Sequence, residues 1–403
     1  MARRTNGPAA RAWAALRDGV TPLGRAVVSL GLLSLTLARL TGLVELAVVS
    51  ALCLLLVAMA LAMVIAPSNV RAELTLRPDR TSVGVPVRGR LRLANRWPLA
   101  VGRPVVEVPA GAERRWMRLP TLRARGTHDA DLLVPAPRRG VVAVGPVLYR
   151  RTDPVGLFSR RVRWAGAVEL LVRPATADLA GLPVGQLRDL EGVPSDQISM
   201  SDLAFHALRE YVRGDDLRHV HWRSSARAGQ LLVRQYHDSR RTSTLLVVDT
   251  RPSAYADPDD FELALSIAAS ITLRAGHDGY DLALVCGDLS VGGRSVGWDP
   301  SYVLDAFCRA GLDPDGTERE VPEQVTRGLA AAYDASMLFL VTGTAAPVDE
   351  LQRVVALTPR DLWASVWRVG AGQAAGLAEY AGRPIVTLGE LGQLPVAMNE
   401  VIR

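Results

Sequence analysis

Two apolar runs precede any strand-like alternation in the chain. Leu46 to Ile65 (LAVVSALCLLLVAMALAMVI) is uncharged over 20 residues, the length a helix needs to cross a bilayer. The run before it, Ala26 to Ala38, stops at Arg39. That guanidinium can snorkel to the interface, so the helix extends to about Val44. Arg39 and Glu45 then bracket a Thr41-Gly42 turn, and the pattern predicts a transmembrane helical hairpin over 26–66. Both outer flanks are basic: Arg3, Arg4, Arg11, Arg17 and Arg25 lie before it, Arg71, Arg77 and Arg80 after it. Positive flanks stay inside, so the expectation is a two-pass protein of the cell (inner) membrane with its soluble domains and the basic segment 1–25 cytoplasmic. No short apolar core with a small-residue cleavage site comes first, so no cleaved signal peptide is expected.

Over 67–175 the pattern becomes short alternating runs punctuated by Gly and Pro. ELTLRP, VRGRLRLAN, PVVEVPA, DADLLVPA, GVVAVGPVLYRR and VELLVRP each predict a strand with one polar face. Turn signals recur at the intervals of a small antiparallel β-sandwich. Thr152 to Phe158 (TDPVGLF) predicts a turn whose Leu157 and Phe158 dock back on apolar surface. No cluster there carries catalytic chemistry.

Residues 176–240 form a connector leading to an α/β domain over 241–403. Leu231–Tyr236 predicts a strand that turns through His237–Arg241 into a hairpin partner, Ser243–Asp249 (STLLVVD). The near-continuous apolar run of the latter is that of a buried strand in a parallel sheet. Helices are then expected at 259–275, 301–310, 323–333, 348–356 and 374–380, and at the C-terminus. Strands are expected at 282–286, 337–341, 362–368 and 384–388. That alternation predicts a doubly wound sheet, with ligands at strand carboxyl ends and therefore near Asp249.

Charge and cysteine usage narrow this picture only slightly. The 403 residues carry a formal net charge of +6, and every basic residue is Arg. Such uniform replacement of Lys is a genome-composition signature, and part of the excess is explained by the membrane flanks, so nucleic-acid binding gains little support. Cys53, Cys286 and Cys308 show no paired spacing, against a disulfide framework or zinc ribbon.

The densest chemistry lies in Arg209–Gly229, REYVRGDDLRHVHWRSSARAG. Asp215 is positioned as the N-cap of a helix that Gly229 would end, which aligns Asp215, Arg218 and Trp222 on one face. Arg223 and Arg227 fall on another face and repel unless something anionic intervenes. The plainer interpretation is an ion-pair and aromatic lattice that holds a helix in place; the sharper one is a recognition surface. As an internal clamp, Asp215 or Trp222 replaced by Ala should cost ~2–4 kcal/mol. A His221/Ser224/Asp215 triple lacks an elbow or oxyanion motif. His219 and His221 face opposite ways on a helix, and HExxH and Walker motifs are absent from the sequence.

RRGVVAVGPVLYRRTDPVGLFSRR and LREYVRGDDLRHVHWRSSARAGQLLVRQ, behind a hairpin and before an α/β domain, resemble the domain-of-unknown-function-58 family of bacterial membrane proteins. The signature positions carried over are Arg209, Tyr211, Gly214, Asp215, Arg218, His221, Trp222 and Ala226, with Arg227 added as a binding candidate. The resemblance implies a von Willebrand factor A-like C-terminal domain. It also implies work with a MoxR-type AAA+ ATPase and a transglutaminase-like membrane protein; the Arg-only, Ala-rich composition suggests an actinobacterium. A-type domains hold a divalent cation on an Asp-x-Ser-x-Ser loop. Here that loop is Asp249-Thr250-Arg251-Pro252-Ser253, and the later one is Val341-Thr342-Gly343-Thr344. Asp249 and Ser253 fit, but Arg251 offers no lone pair and the expected Asp before Gly343 is absent. Arg251 is therefore expected to pair with Asp249 in the cation's place, leaving no cofactor rather than Mg²⁺. The acidic run Asp257–Asp260 is taken as helix N-terminal charge. Together these features predict a membrane-anchored, non-enzymatic adaptor. The alternatives are a divalent-cation-dependent hydrolase, or a basic surface for anionic lipid or nucleic acid.

Overall fold

A computed structural model describes residues 19–65, 69–183, 204–211, 220–237, 242–291, 298–313 and 320–403. The chain divides into two compact units, Met1–Arg173 and Pro174–Arg403.

In the first unit, α1 (Pro22–Thr41) and α2 (Val44–Ile65) form an antiparallel pair. Thr21 caps α1 by accepting from the Gly24 N–H, and Pro22 stands at the position where a missing N–H is harmless. Gly42, at φ 73°, ends α1 with its N–H on the Ala38 carbonyl, a left-handed conformation that suits glycine. Small residues are buried on both helices, Gly24, Gly31, Ser34 and Ala38 on α1 and Ser50, Cys53 and Ala60 on α2, and Gly31 packs on Cys53, where a Cβ would come within 2.9 Å of the cysteine Cβ. Leucines such as Leu33, Leu40, Leu52 and Leu55 point outward and are exposed. Both helices are long and apolar enough to cross a membrane.

The rest of this unit consists of two sheets. One orders β1 (Val70–Arg77), β3 (Val87–Asn95) and β6 (Thr127–Val134), all antiparallel. The other orders β2 (Arg80–Ser82), β10 (Val168–Arg173), β7 (Gly140–Val144), β4 (Val105–Ala110), β8 (Val147–Thr152) and β9 (Ser159–Ala165), with β5 (Glu113–Arg118) also on β4. Period-2 alternation puts Leu74, Leu76, Leu91 and Leu93 of the first sheet and Val106, Val108, Leu170 and Val172 of the second into one shared core. The run 140–151, expected as one strand, is two, broken at Gly145-Pro146. Proline cannot donate to a ladder, and Gly145 adopts φ 96°.

Between β8 and β9 the TDPVGLF turn closes on Asp153. One carboxylate oxygen accepts from the N–H groups of Val155, Gly156 and Leu157 at 2.8–3.1 Å, and the other from Phe158 at 2.6 Å. Burial alone would raise the Asp153 pKa, but these four N–H donors hold it below the ordinary carboxylate value. As expected, Leu157 and Phe158 dock on apolar surface: they pack with Ala60 and Val64 of α2.

In the second unit, β11 (Ala204–Glu210) pairs with β12 (Leu232–His237), and the short helix α3 (Trp222–Ala228) lies between them in sequence. The main sheet orders β15 (Leu289–Val291), β14 (Asp281–Cys286), β13 (Ser243–Val248), β16 (Met337–Gly343), β17 (Trp363–Val369), β19 (Arg383–Leu388) and β18 (Gly376–Tyr380). The five central strands are parallel and the two edges antiparallel. Leu246 and Val248 face one core with α4 (Pro258–His277), α5 (Pro300–Phe307) and α8 (Leu394–Ile402). Leu245 and Val247 face the other with α6 (Val321–Ala331) and α7 (Val348–Leu357). Helices on both faces explain why β13 is buried at every position.

Two expectations change. β12 and β13 belong to different sheets, so they are not hairpin partners. The segment expected as a helix at 374–380 instead contains the exposed strand β18, paired with β19 across Ala381-Gly382. Both turn residues have positive φ (49° and 76°), the two-residue geometry that matches strand twist.

Candidate functional site

Two places collect the sequence-derived candidates. The first is the signature segment. Its helix does not run from Asp215 to Gly229. Val220 makes an isolated bridge to Val233, and His221 caps α3, its Nδ1 accepting from the Ser224 N–H at 3.2 Å. The Ser224 hydroxyl lies 2.8 Å from the same nitrogen, and a ring nitrogen facing two donors is the unprotonated acceptor. Gly229 does end the helix, at φ 70°. Val220 thus precedes the helix in a bridge, and the expected shared face of Asp215, Arg218 and Trp222 falls partly outside the described residues. Gly214, Asp215 and Arg218, with Arg213, Asp216 and His219, lie outside the described residues.

Among the described positions, the Tyr211 N–H bonds the Leu231 carbonyl at 2.9 Å, and the β11 backbone sets Arg209 opposite Val233. Ser225 is buried and ties α3 down, donating to the His221 carbonyl and accepting from the Leu232 N–H. Trp222 is 63% exposed, and Arg223, Ala226 and Arg227 are exposed beside it. An indole so exposed is no internal clamp, which corrects the expectation for Trp222. Arg223 and Arg227 stand one turn apart without an acid between them on α3.

The second place is the carboxyl end of β13. The strand β13 lies between β14, which follows it, and β16, which comes later, so the chain switches direction across the sheet there. Asp249, fully buried, has both oxygens occupied. Oδ1 accepts from the Arg251 N–H at 3.1 Å and Nε at 3.0 Å; Oδ2 accepts from an Arg251 terminal nitrogen and from Thr342 Oγ1, both at 2.9 Å. The far side of the same guanidinium bonds Glu350 at 3.1 and 2.7 Å. Burial by itself would lower the Arg251 pKa, but its bonds to Asp249 and Glu350 outweigh burial and raise it, so it is held charged. Tyr255 donates to the Asp249 carbonyl at 2.5 Å, with its phenol pKa pushed up first by burial and then by the Asp249 charge.

One guanidinium thus bridges the two carboxylates. Glu350 lies in the first turn of α7, where the helix dipole favours an anion. Close backbone approach completes the enclosure: a Cβ on Gly343 would come within 2.0 Å of the Ala254 carbonyl oxygen.

The expected pairing of Arg251 with Asp249 is present; Glu350 and the Thr342 bond went unpredicted. Ser253 is exposed on the 3₁₀ turn Pro252–Ala254, whose Ala254 is buried. This donor set does not fit a hard cation. The four acceptor directions of Asp249 are taken, and a fixed positive group occupies the space between the carboxylates. Among the described residues no group of three or more His, Cys, Asp or Glu is arranged to hold a metal ion. Asp257 and Asp260 act as expected, forming the capping box of α4; Asp260 also accepts from the Ala371 N–H at 2.6 Å.

The family model described as "Protein of unknown function DUF58" matches residues 207–291, a span that takes in the described signature residues and the Asp249–Arg251 loop. The match supports that family. No curated protein matches the chain. Solved structures with local likeness include the CARDB domain of a Pyrococcus furiosus protein in complex with di-metal ions, at 11% identity over 26% of this chain and 91% of that one, TM-score 0.21. Another is the Pseudomonas fluorescens alkylpurine DNA glycosylase AlkC bound to DNA with an abasic-site analogue, at 15% identity over 31% and 38%, TM-score 0.20. A third is a sporulation control protein from Bacillus subtilis, at 12% identity over 26% and 50%, TM-score 0.18. Likenesses this slight carry no argument about activity.

Proposed function

We propose that the chain is a membrane-anchored, non-enzymatic adaptor whose α3 surface engages a protein partner. In this reading α1 and α2 span the inner membrane of an actinobacterial cell as a two-pass hairpin, with both soluble units cytoplasmic. The first is a β-sandwich and the second a von Willebrand factor A-like domain. The partner is a MoxR-type AAA+ ATPase, acting with a transglutaminase-like membrane protein in the assembly or maturation of an envelope complex.

The observation that carries the proposal is the exposed Trp222 beside Arg223 and Arg227. A large aromatic and two guanidinia in solvent gain nothing for the fold, whereas buried Trp and Arg dominate the energetics of protein interfaces. Supporting it, Asp249 is saturated by Arg251 and Thr342 and is unavailable to hold a cation.

The test is capture of the ATPase from membranes by the full chain. Trp222→Ala and Arg223→Ala/Arg227→Ala should each lower capture at least tenfold with little change in melting temperature. Undiminished capture by both variants would refute the α3 surface as the contact.

A further inference from the structure

The main sheet of the second unit ends in an open strand. Among the described residues β18 has β19 on one side and no strand on the other, and every one of its side chains is exposed. The turn Ala381-Gly382 sets its hydrogen bonding. In a hairpin with a two-residue turn, the residues flanking the turn exchange both backbone bonds, and the pattern alternates from there. Here those residues are Tyr380 and Arg383. Tyr380, Ala378 and Gly376 therefore bond inward to β19, while the N–H and C=O groups of Leu377 and Glu379 point away from the sheet. Pro384 agrees with this phase: it has no N–H to give, and it stands opposite Glu379.

Other long edges of this chain are guarded by charge. β6 carries Asp129 and Asp131, β5 carries Arg114, Arg115 and Arg118, and β9 carries Arg160, Arg161 and Arg163. Edge charges, prolines and bulges are the ordinary means of discouraging a further strand. β18 has no proline and no register shift, and Glu379 is its only charge.

That charge selects the register in which a second β18 could be added. Antiparallel pairing with Glu379 opposite Glu379 sets like charges face to face. Pairing with Leu377 opposite Leu377 sends Glu379 against Ala375, beyond the end of the strand. With a two-fold axis at Ala378, Leu377 of each copy meets Glu379 of the other. Every outward N–H and C=O on β18 is then paired, and no charge faces its like. Tyr380 comes to lie opposite Gly376, where an aromatic ring covers a residue without a side chain. The strand is complementary to itself in its one fully paired register.

We infer that β18 is a self-association edge: a second copy of this chain adds its own β18 antiparallel about Ala378, and the main sheet continues through both copies. Leu377, 50% exposed, and Tyr380, 40% exposed, gain cover from this contact. The same patch serves both copies, so the assembly closes at the dimer. The inference is independent of the α3 surface and of the membrane reading.

The test traps the contact as a disulfide in the detergent-solubilised full chain under mild oxidation. Ala378 faces Ala378 as a non-hydrogen-bonded pair with Cα atoms about 4.5 Å apart, a separation that a disulfide spans. A378C should form covalent dimer roughly tenfold faster than V396C, an exposed control on α8. L377C and E379C should each be slow alone and fast when the two chains are mixed. The native cysteines are buried, so the unsubstituted chain gives the background. In the A378C chain, adding L377E sets Glu against Glu379 and should slow trapping roughly tenfold; adding L377E/E379R restores opposite charges across the axis and should recover it. These side chains are all exposed, so melting temperatures should stay unchanged. Trapping of A378C no faster than V396C would overturn the inference. So would failure of L377E/E379R to recover it, or L377C alone trapping as fast as A378C. Crosslinking of A378C to another protein in membranes, without self-trapping, would give the edge to a different occupant and equally overturn it.

Discussion

In the second unit, arginine is used in two opposite ways. At the end of β13, Arg251 is almost wholly buried and shares its donors between Asp249 and Glu350. On α3, Arg223 and Arg227 stand in solvent beside an exposed Trp222. A buried guanidinium must be paired, and once paired it is closed to any ligand. An exposed guanidinium adds little to stability and stays available. The contrast assigns the first cluster to holding the α/β unit together, and it is the ground on which the second is proposed as a recognition surface.

The largest expected effect comes from breaking the buried cluster. Glu350→Ala or Asp249→Ala leaves Arg251 half-paired in a dry site and should cost ~3–5 kcal/mol in denaturant unfolding of the full chain. Gly343→Ala should follow at ~3 kcal/mol, because the contact at Ala254 is with backbone that cannot rotate away. A normal melting curve for either class would mean that the strand end is looser than the hydrogen bonds imply.

Asp153 extends the comparison to the first unit, since its charge is satisfied by backbone alone. Asp153→Asn should destabilise by ~2 kcal/mol near neutral pH. The folded pKa of Asp153 lies below its unfolded value, so its stabilisation is present above the unfolded value of about 4 and disappears as pH falls through the folded pKa. Wild type and variant should therefore converge in acid; a gap that persists at pH 2 would assign the effect to shape and not charge. At the small end, Trp222→Ala should shift stability by less than ~0.5 kcal/mol. A loss of several kcal/mol would return Trp222 to an internal role.

What could be read from the sequence follows from the same physics. β13 is visible because burial on both faces leaves six apolar or small residues in a row, and VRGRLRLAN alternates because one face of β3 is wet. The Arg251–Asp249 pair is visible because only Thr250 separates its members. Glu350 lies 99 residues from Arg251, and an acid in the first turn of a helix ordinarily signals only the dipole. β18 is hidden because it is exposed and lacks alternation; it is a strand through its pairing with β19. The α3 boundary was missed because Asp215 after Gly214 is a stronger cap signal than His221, which caps through a ring nitrogen.

The most direct test of the central claim, that Arg251 and Thr342 occupy the Asp249 carboxylate and leave it no room for a cation, is a thermal melt of the full chain with and without Mg²⁺ or Mn²⁺. The account predicts the same melting temperature in both conditions. A rise with metal that Asp249→Ala abolishes would contradict it.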